Sequence, residues 1–351
     1  MVVFIGVLLV LAGGFASGSF YLPFTKVKKW SWESYWLFGG IFSWLIVPIV
    51  AALITIPHLM GVYKGVGTMD IIYPIICGVL WGIGGLTFGL SMRYLGMSLG
   101  MAIALGLTAA FGTLITPYLP LLPFWTGEEF KPVFSSTAGV ITFIGVLVGL
   151  IGIGITGKAG MMKDKGTKEE DKKEGVKEFN LKKGLIVALV SGIMNACFAF
   201  GIKFGEPITV QAQQMGASSL NVNNATYILI LLGGLIVNAF WCIRLLIKNK
   251  TFSDYSNKQT PLGKNYVFSA VAGTIWYLQF FLYGMGESKM GDFGYAGWSI
   301  LMGSSIIFSN IWGLVNKEWK GANKNTIIVL ILGLAVLLIS TVVIGMGASY
   351  K

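Results

Sequence analysis

The stretch GVLWGIGGLTFGLSMRYLG (78–96) contains a single charged residue, Arg93. Roughly 20 mostly apolar residues wound as a helix cross about 30 Å of hydrocarbon. A helix also satisfies its own backbone polar groups, which lipid cannot do. The stretch lacks the strict alternation of a barrel strand, so it reads as a membrane-crossing helix. Shifted by 195 residues, it falls on GTIWYLQFFLYGMGESKMG (273–291). Gly78 then meets Gly273, Trp81 meets Trp276, Phe88 meets Tyr283, Gly89 meets Gly284 and Gly96 meets Gly291. A shift of 178 lays Gly6 on Gly184, Gly14 on Gly192 and Phe20 on Phe198. The chain reads as two related halves.

Outward from that stretch, ten apolar runs are expected to span: 2–24, 36–56, 71–92, 97–118, 138–157, 181–203, 225–247, 265–286, 294–315 and 326–346. The composition agrees. Of 351 residues, 55% are hydrophobic and only 12% charged, about half the charge of a soluble domain. The 48 Gly suit close helix packing, and the 11 Trp and 13 Tyr suit the headgroup level. The first run begins at the N-terminus with its basic residues after it. A secretory signal has the opposite order, so this run is expected to stay as the first span. The segment KAGMMKDKGTKEEDKKEGVKEFN (158–180) is charged and nearly free of aromatics. It reads as a solvated linker.

The expected fold is an all-α integral membrane protein of ten transmembrane helices, arranged as two five-helix repeats. The first repeat covers 1–157, the basic linker 158–180 and the second repeat 181–351. Five is odd, so the second repeat is inverted relative to the first, as in many secondary transporters. Loops after odd-numbered spans hold 21 of the 26 Lys and Arg; Lys64, Lys131, Lys203, Lys289 and Lys351 make up the rest. Basic loops stay in the cytoplasm, so odd loops are expected inside and both termini outside. The net charge of +11 is loop bias, with no module suited to nucleic acid.

No G-x-x-x-x-G-K-[ST] loop and no catalytic constellation of His, Cys and Asp is present, so the chain does not read as an enzyme. Cys77, Cys197 and Cys242 lie in apolar runs without metal-ligand spacing and read as buried thiols. No cofactor, metal or obligate protein partner is expected. Polar and aromatic side chains inside the spans must face a cavity or a partner. Ser17, Tyr21, Trp81, Asn195, Trp276, Tyr277, Gln279, Tyr283 and Trp298 are the candidate substrate contacts. They are neutral, with hydrogen-bonding groups beside flat apolar rings, which suits a neutral polyhydroxylated ligand. Ser and Thr also bond to their own helix, and Trp81 and Trp276 also serve as packing. A proton-coupling carboxylate is one held out of water near a span end; Glu287 and Glu206 are the candidates, each read more readily as a loop salt bridge in water. Arg93 reads as an anchor and His58 as a surface residue.

Several strings together resemble one family: FYLPFTKVKKWSWESYW (20–36), LWGIG (80–84), MRYLGMSLG (92–100), EFNLKKGL (178–185), WYLQFFLYGMG (276–286) and NKEWKGA (316–322). In order and across almost the whole chain, they are similar to the L-rhamnose–proton symporters of the drug/metabolite transporter superfamily of ten-helix proteins. The resemblance implies import of L-rhamnose or a related 6-deoxyhexose with a proton across a bacterial inner membrane. It marks no individual site residue. The residues alone stop at a small neutral solute. They leave open an exporter of drugs or metabolites on the same scaffold, or a membrane sensor that transports nothing.

Overall fold

A computed structural model describes residues 2–95, 97–125, 127, 129–130, 132–166 and 180–350. Among them every regular element is helical. The long helices are α1 (Val2–Ser19), α2 (Trp32–Thr55), α3 (Thr68–Leu95), α4 (Met97–Leu114), α5 (Thr137–Gly166), α6 (Leu181–Phe204), α7 (Asn223–Asn249), α8 (Leu262–Glu287), α9 (Gly297–Val315) and α10 (Lys324–Ser349). Nine helical segments among the described residues are long and apolar enough to cross a bilayer. The remaining helix, α4, has a shorter apolar part, Ile103–Leu114. The chain is a multi-pass membrane protein. Its outward faces carry Phe4, Ile54, Phe240, Val267 and Val342, all exposed large apolar residues that suit lipid.

The structure differs from the sequence reading in two respects, one helix boundary and two short added helices. Helix α5 continues past residue 157 to Gly166, so the first residues of the expected linker are helical. Lysine, alanine and methionine, which make up most of this extension, are good helix formers, and a charged extension can leave the membrane without unwinding. The rest of that segment, 167–179, lies outside the described residues. Short amphipathic helices, Leu59–Lys64 and Glu206–Gln214, occupy stretches expected as loops and pack against each other.

Helix α2 holds a π turn at Phe42–Ile46, just before Pro48. Proline has no N–H to give the Trp44 carbonyl, and its ring crowds that oxygen, so the preceding turn widens. The widened turn sets Trp44 on the interior, 4% exposed, 6.1 Å from the Trp276 ring.

Glycine fixes how the helices meet. Gly6 abuts the Gly286 carbonyl and Gly13 the Gln279 carbonyl, so α1 runs antiparallel to α8. Gly14 meets Ser304 and Gly18 meets Phe308, so α1 runs parallel to α9. Gly84 meets Asn195, and Gly184 meets Leu95, making α3 antiparallel to α6. Gly78 meets the Ile230 carbonyl and Gly82 meets Val237, making α3 parallel to α7. The closest pairing is α5 with α10. Gly145, Gly149 and Gly152 of α5 face Ile344, Ser340 and Leu337, while Gly347 and Gly333 of α10 face Thr142 and Thr156. Ser340 Oγ donates to the Gly145 carbonyl at 2.7 Å. Without a hydrophobic drive between helices in lipid, such small-residue seams and buried hydroxyl bonds hold the bundle together.

Candidate functional site

The cavity forms where the C-terminal ends of α4, α6 and α8 meet the N-terminal ends of α5, α7 and α9. It encloses about 750 Å³, within the range of small-molecule sites. Ala199, Ile202 and Lys203 come from the last turns of α6, Val222 and Asn223 from the start of α7, and Tyr283 and Glu287 from the end of α8. Glu206, Thr116, Glu129, Asp292, Tyr295 and Trp298 complete much of its polar and aromatic wall. Apolar side chains and a few convergent polar groups are the composition expected of a solute site.

Two carboxylates are held differently. Glu287, the last residue of α8, accepts a hydrogen bond from Asn223 Nδ2 at 3.1 Å and lies beside the Tyr283 hydroxyl. Both neighbours are neutral. Glu206 opens its own short helix, and Lys203 Nζ donates to both its oxygens at 2.8 and 2.9 Å. The Lys203 and Glu206 charges both act on Glu287. Outside the spans, burial pushes the hydroxyls of Tyr63 and Tyr255 above their ordinary titration range. They serve as neutral donors, to the Ala225 and Ser34 carbonyls at 2.7 and 2.9 Å.

Beneath the cavity runs a column of rings. Trp298, 3% exposed, lies nearly parallel to Phe198 at 5.8 Å. Phe198 stacks on Phe280 at 4.0 Å, and Phe280 meets Trp276 edge-on at 5.0 Å. Trp81 lies 5.7 Å from Trp276. Trp276 borders a void of only about 10 Å³ at the other end of the bundle, packed by Phe20, Phe24, Trp36 and Trp44. That end is also tied by hydrogen bonds. Buried Glu33 accepts from Asn249 Nδ2 and Thr251 Oγ1, both at 2.9 Å. Asp254 Oδ2 accepts from the Ser31 N–H at 2.8 Å and the Ser34 hydroxyl at 2.7 Å. Asn265 pairs with both backbone groups of Lys28. The cavity is open at one end of the bundle and closed at the other.

Of the residues singled out from sequence, Tyr283, Trp298, Glu287 and Glu206 come together around the large cavity. Trp276 and Trp81 lie in and beside the ring column. Gln279 is buried and bonds back to the Trp276 carbonyl at 2.9 Å. Asn195 Nδ2 donates to the Ser191 carbonyl at 2.9 Å. Tyr277 donates to Asn224 Oδ1 at 3.0 Å, and Asn224 reaches Thr55 at 2.9 Å. Ser17 is half-buried on α1, while Tyr21 is exposed and shares a 3.2 Å hydroxyl contact with Tyr35. The sequence reading missed Asn223, Glu129 and Thr116. The first two lie in polar stretches, NVNN (221–224) and GEEFK (127–131), where one more polar residue gives no signal. Among the described residues no group of three or more His, Cys, Asp or Glu is placed to hold a metal ion.

Apolar helices around a one-sided, solute-sized cavity define a multi-pass membrane carrier. The chain belongs to the family of the L-rhamnose-proton symport protein (RhaT), whose description matches residues 1–350. The family consists of proton-coupled transporters, not enzymes. The chain is 37% identical over 348 residues to the L-rhamnose-proton symporters of Shigella dysenteriae serotype 1 (strain Sd197) and Escherichia coli (strain SMS-3-5 / SECEC). The match to the L-rhamnose-proton symporter of Shigella boydii serotype 18 (strain CDC 3083-94 / BS512) has the same identity and length. In each case the match covers 97% of both chains.

Proposed function

We propose that this protein imports L-rhamnose, or a closely related 6-deoxyhexose, together with a proton across a bacterial inner membrane by alternating access. The observation that carries the reading is the cavity. A carboxylate with a neutral hydrogen-bond partner, Glu287, shares its wall with Trp298, Tyr283 and Asn223. The rings offer flat apolar faces for a sugar, and the amide and hydroxyl offer uncharged hydrogen bonding. Glu287 is the proton carrier in this scheme, because Glu206 is engaged by Lys203. Tyr283 and Trp298 contact the sugar, and Asn223 joins proton and sugar sites. Ser17, Tyr21, Trp81, Asn195, Trp276, Tyr277 and Gln279 belong to the path or its closed end.

The proposed architecture is ten crossings in two inverted repeats, 1–157 and 181–351, joined by the charged segment. Helix directions support the count of ten. The antiparallel relation of α3 to α6 and its parallel relation to α7 accord with an α4 that traverses; an α4 that turned back would reverse both relations. The glycine contacts support the repeat. Exchanging each helix with the one five later pairs the Gly6 contact of α1 with α8 with the Gly184 contact of α6 with α3, the Gly14 contact of α1 with α9 with the Gly192 contact of α6 with α4, and the Gly78 contact of α3 with α7 with the Gly273 contact of α8 with α2. In the seam of α5 and α10 a shift of 195 carries Gly152–Leu337 onto Gly347–Thr142. Such a seam suits an axis about which halves rock. The basic loops favour odd connections and the closed end on the cytoplasmic side. The termini and the open cavity then face the periplasm.

The test is uptake of labelled L-rhamnose into proteoliposomes under an inward proton gradient, with L-fucose and D-glucose as competitors. Concentrative uptake abolished by a protonophore is expected. Failure of L-rhamnose to accumulate or exchange would end the proposal.

A further inference from the structure

We infer that Lys203 is a movable counter-charge: its ammonium pairs with Glu206 while Glu287 holds a proton, and passes to Glu287 once that proton has left. The inference rests on the proton-coupled reading of the cavity and names the residue that lets the empty carrier return. Lys203 stands in the last turn of α6, and Glu206 lies one turn on, across Gly205, in the next helix. Their side chains are 26% and 19% exposed, so the pair is neither sealed in protein nor fully in water. Lys203 and Glu287 line the same cavity, and a lysine ammonium sits on a flexible four-carbon stem.

The reason for a shared lysine is the cost of closing a cavity over an uncompensated charge. When sugar and proton are loaded, Glu287 is neutral and Lys203 neutralises Glu206. When both have left to the inside, Glu287 is an anion, and a lysine fixed on Glu206 would leave it bare. Moving the ammonium to Glu287 restores neutrality where the cavity closes. Glu206 can then stay behind as a solvated anion. It is the first residue of a nine-residue helix, where unpaired N–H groups favour negative charge. The proton enters from outer water onto the Glu287 carboxylate and leaves from that oxygen to inner water, with no other reactant. Further groups that face this set are Glu129 from the approach to α5, Asp292 and Tyr295 from the Gly291–Ala296 turn, Tyr283 on α8 and Tyr227 on α7. Glu128 and Lys131 lie outside the described residues.

The experiment compares L-rhamnose exchange with net proton-driven uptake in proteoliposomes of wild type, Lys203→Gln, Lys203→Arg and Glu206→Gln. Exchange requires only loaded passages; net uptake requires the empty return. Lys203→Gln is expected to raise the ratio of exchange to net uptake at least tenfold, and Lys203→Arg to bring it back near the wild-type ratio. Glu206→Gln leaves the ammonium on Glu287 at all times. This favours the ionised carboxylate, so half-maximal exchange is expected at least one pH unit lower. Lys203→Gln with an unchanged ratio overturns the inference, whether both rates persist or fall together. So does a Glu206→Gln exchange profile that does not move. Absence of any L-rhamnose exchange in the wild type is a different failure, that of the carrier reading itself.

Discussion

Replacing Glu287 by Gln removes a cavity carboxylate that accepts from the neutral amide of Asn223 and lies beside the Tyr283 hydroxyl. The amide keeps the size of a protonated carboxyl and an oxygen to accept from Asn223. If Glu287 alone carries the proton, one proton moves with each sugar. A difference of one pH unit is worth 1.36 kcal/mol per proton. With the membrane potential clamped at zero and the outside two units more acidic, the coupled proton supplies about 2.7 kcal/mol, an internal sugar excess of ~100-fold. Glu287→Gln is expected to equilibrate L-rhamnose to a ratio of about 1 under that gradient. Exchange of labelled for unlabelled sugar should continue and lose its pH dependence. The assay is filtration of proteoliposomes with internal sugar measured at the plateau. A plateau near the wild-type 100-fold would refute the assignment of the proton to Glu287, and a wild-type plateau near 10⁴-fold would refute the single carboxylate.

Glycine contacts predict opposite outcomes for the same change. A Cβ at Gly78 runs into the Ile230 backbone, whereas one at Gly85 meets nothing within 4 Å; Gly78→Ala should lower detergent-solubilised stability by about 2 kcal/mol or more, and Gly85→Ala should be neutral or slightly stabilising through helix propensity, both read as thermal midpoints. Phe198→Ala leaves a hole among Trp81, Tyr227, Phe280 and Trp298, so a loss of about 3–5 kcal/mol is expected by the same measurement. Tyr63 is held neutral above its ordinary 10.0 by burial. Its contribution is therefore complete below pH 10 and declines as the unfolded phenol ionises above it; midpoints taken from pH 8 to 11 should fall at the alkaline end in wild type, and less in Tyr63→Phe.

The membrane fold was legible because its cause is local: a run of apolar residues long enough to cross hydrocarbon announces itself. Of the glycines paired at shifts of 178 and 195, Gly6, Gly14, Gly78, Gly184, Gly192 and Gly273 sit at close helix contacts, while Gly89 and Gly291 meet nothing within 4 Å. The π turn before Pro48 and the helical start of the expected linker were not legible, since hydropathy reports neither. At the site, sequence reached Tyr283, Glu287 and Trp298 because polar or aromatic residues near span ends stand out. It could not tell which polar residues satisfy themselves. Gln279 and Asn195 fill their amide groups from carbonyls one turn back on their own helices, an outcome set by rotamer and neighbours. Asn223 escaped for the opposite reason: its partner, Glu287, is 64 residues away, and only the crossing of α7 with α8 brings them together.

The ring column from Trp298 through Phe198 and Phe280 to Trp276 has a kinetic consequence. Flat aromatic side chains have few rotatable bonds, so parting them releases little side-chain entropy while breaking many dispersion contacts. The passage that opens the closed end then faces a barrier that is mainly enthalpic, and its rate rises steeply on warming. Sugar exchange should accordingly slow far more between 37 and 10 °C than diffusion through a water-filled pore would.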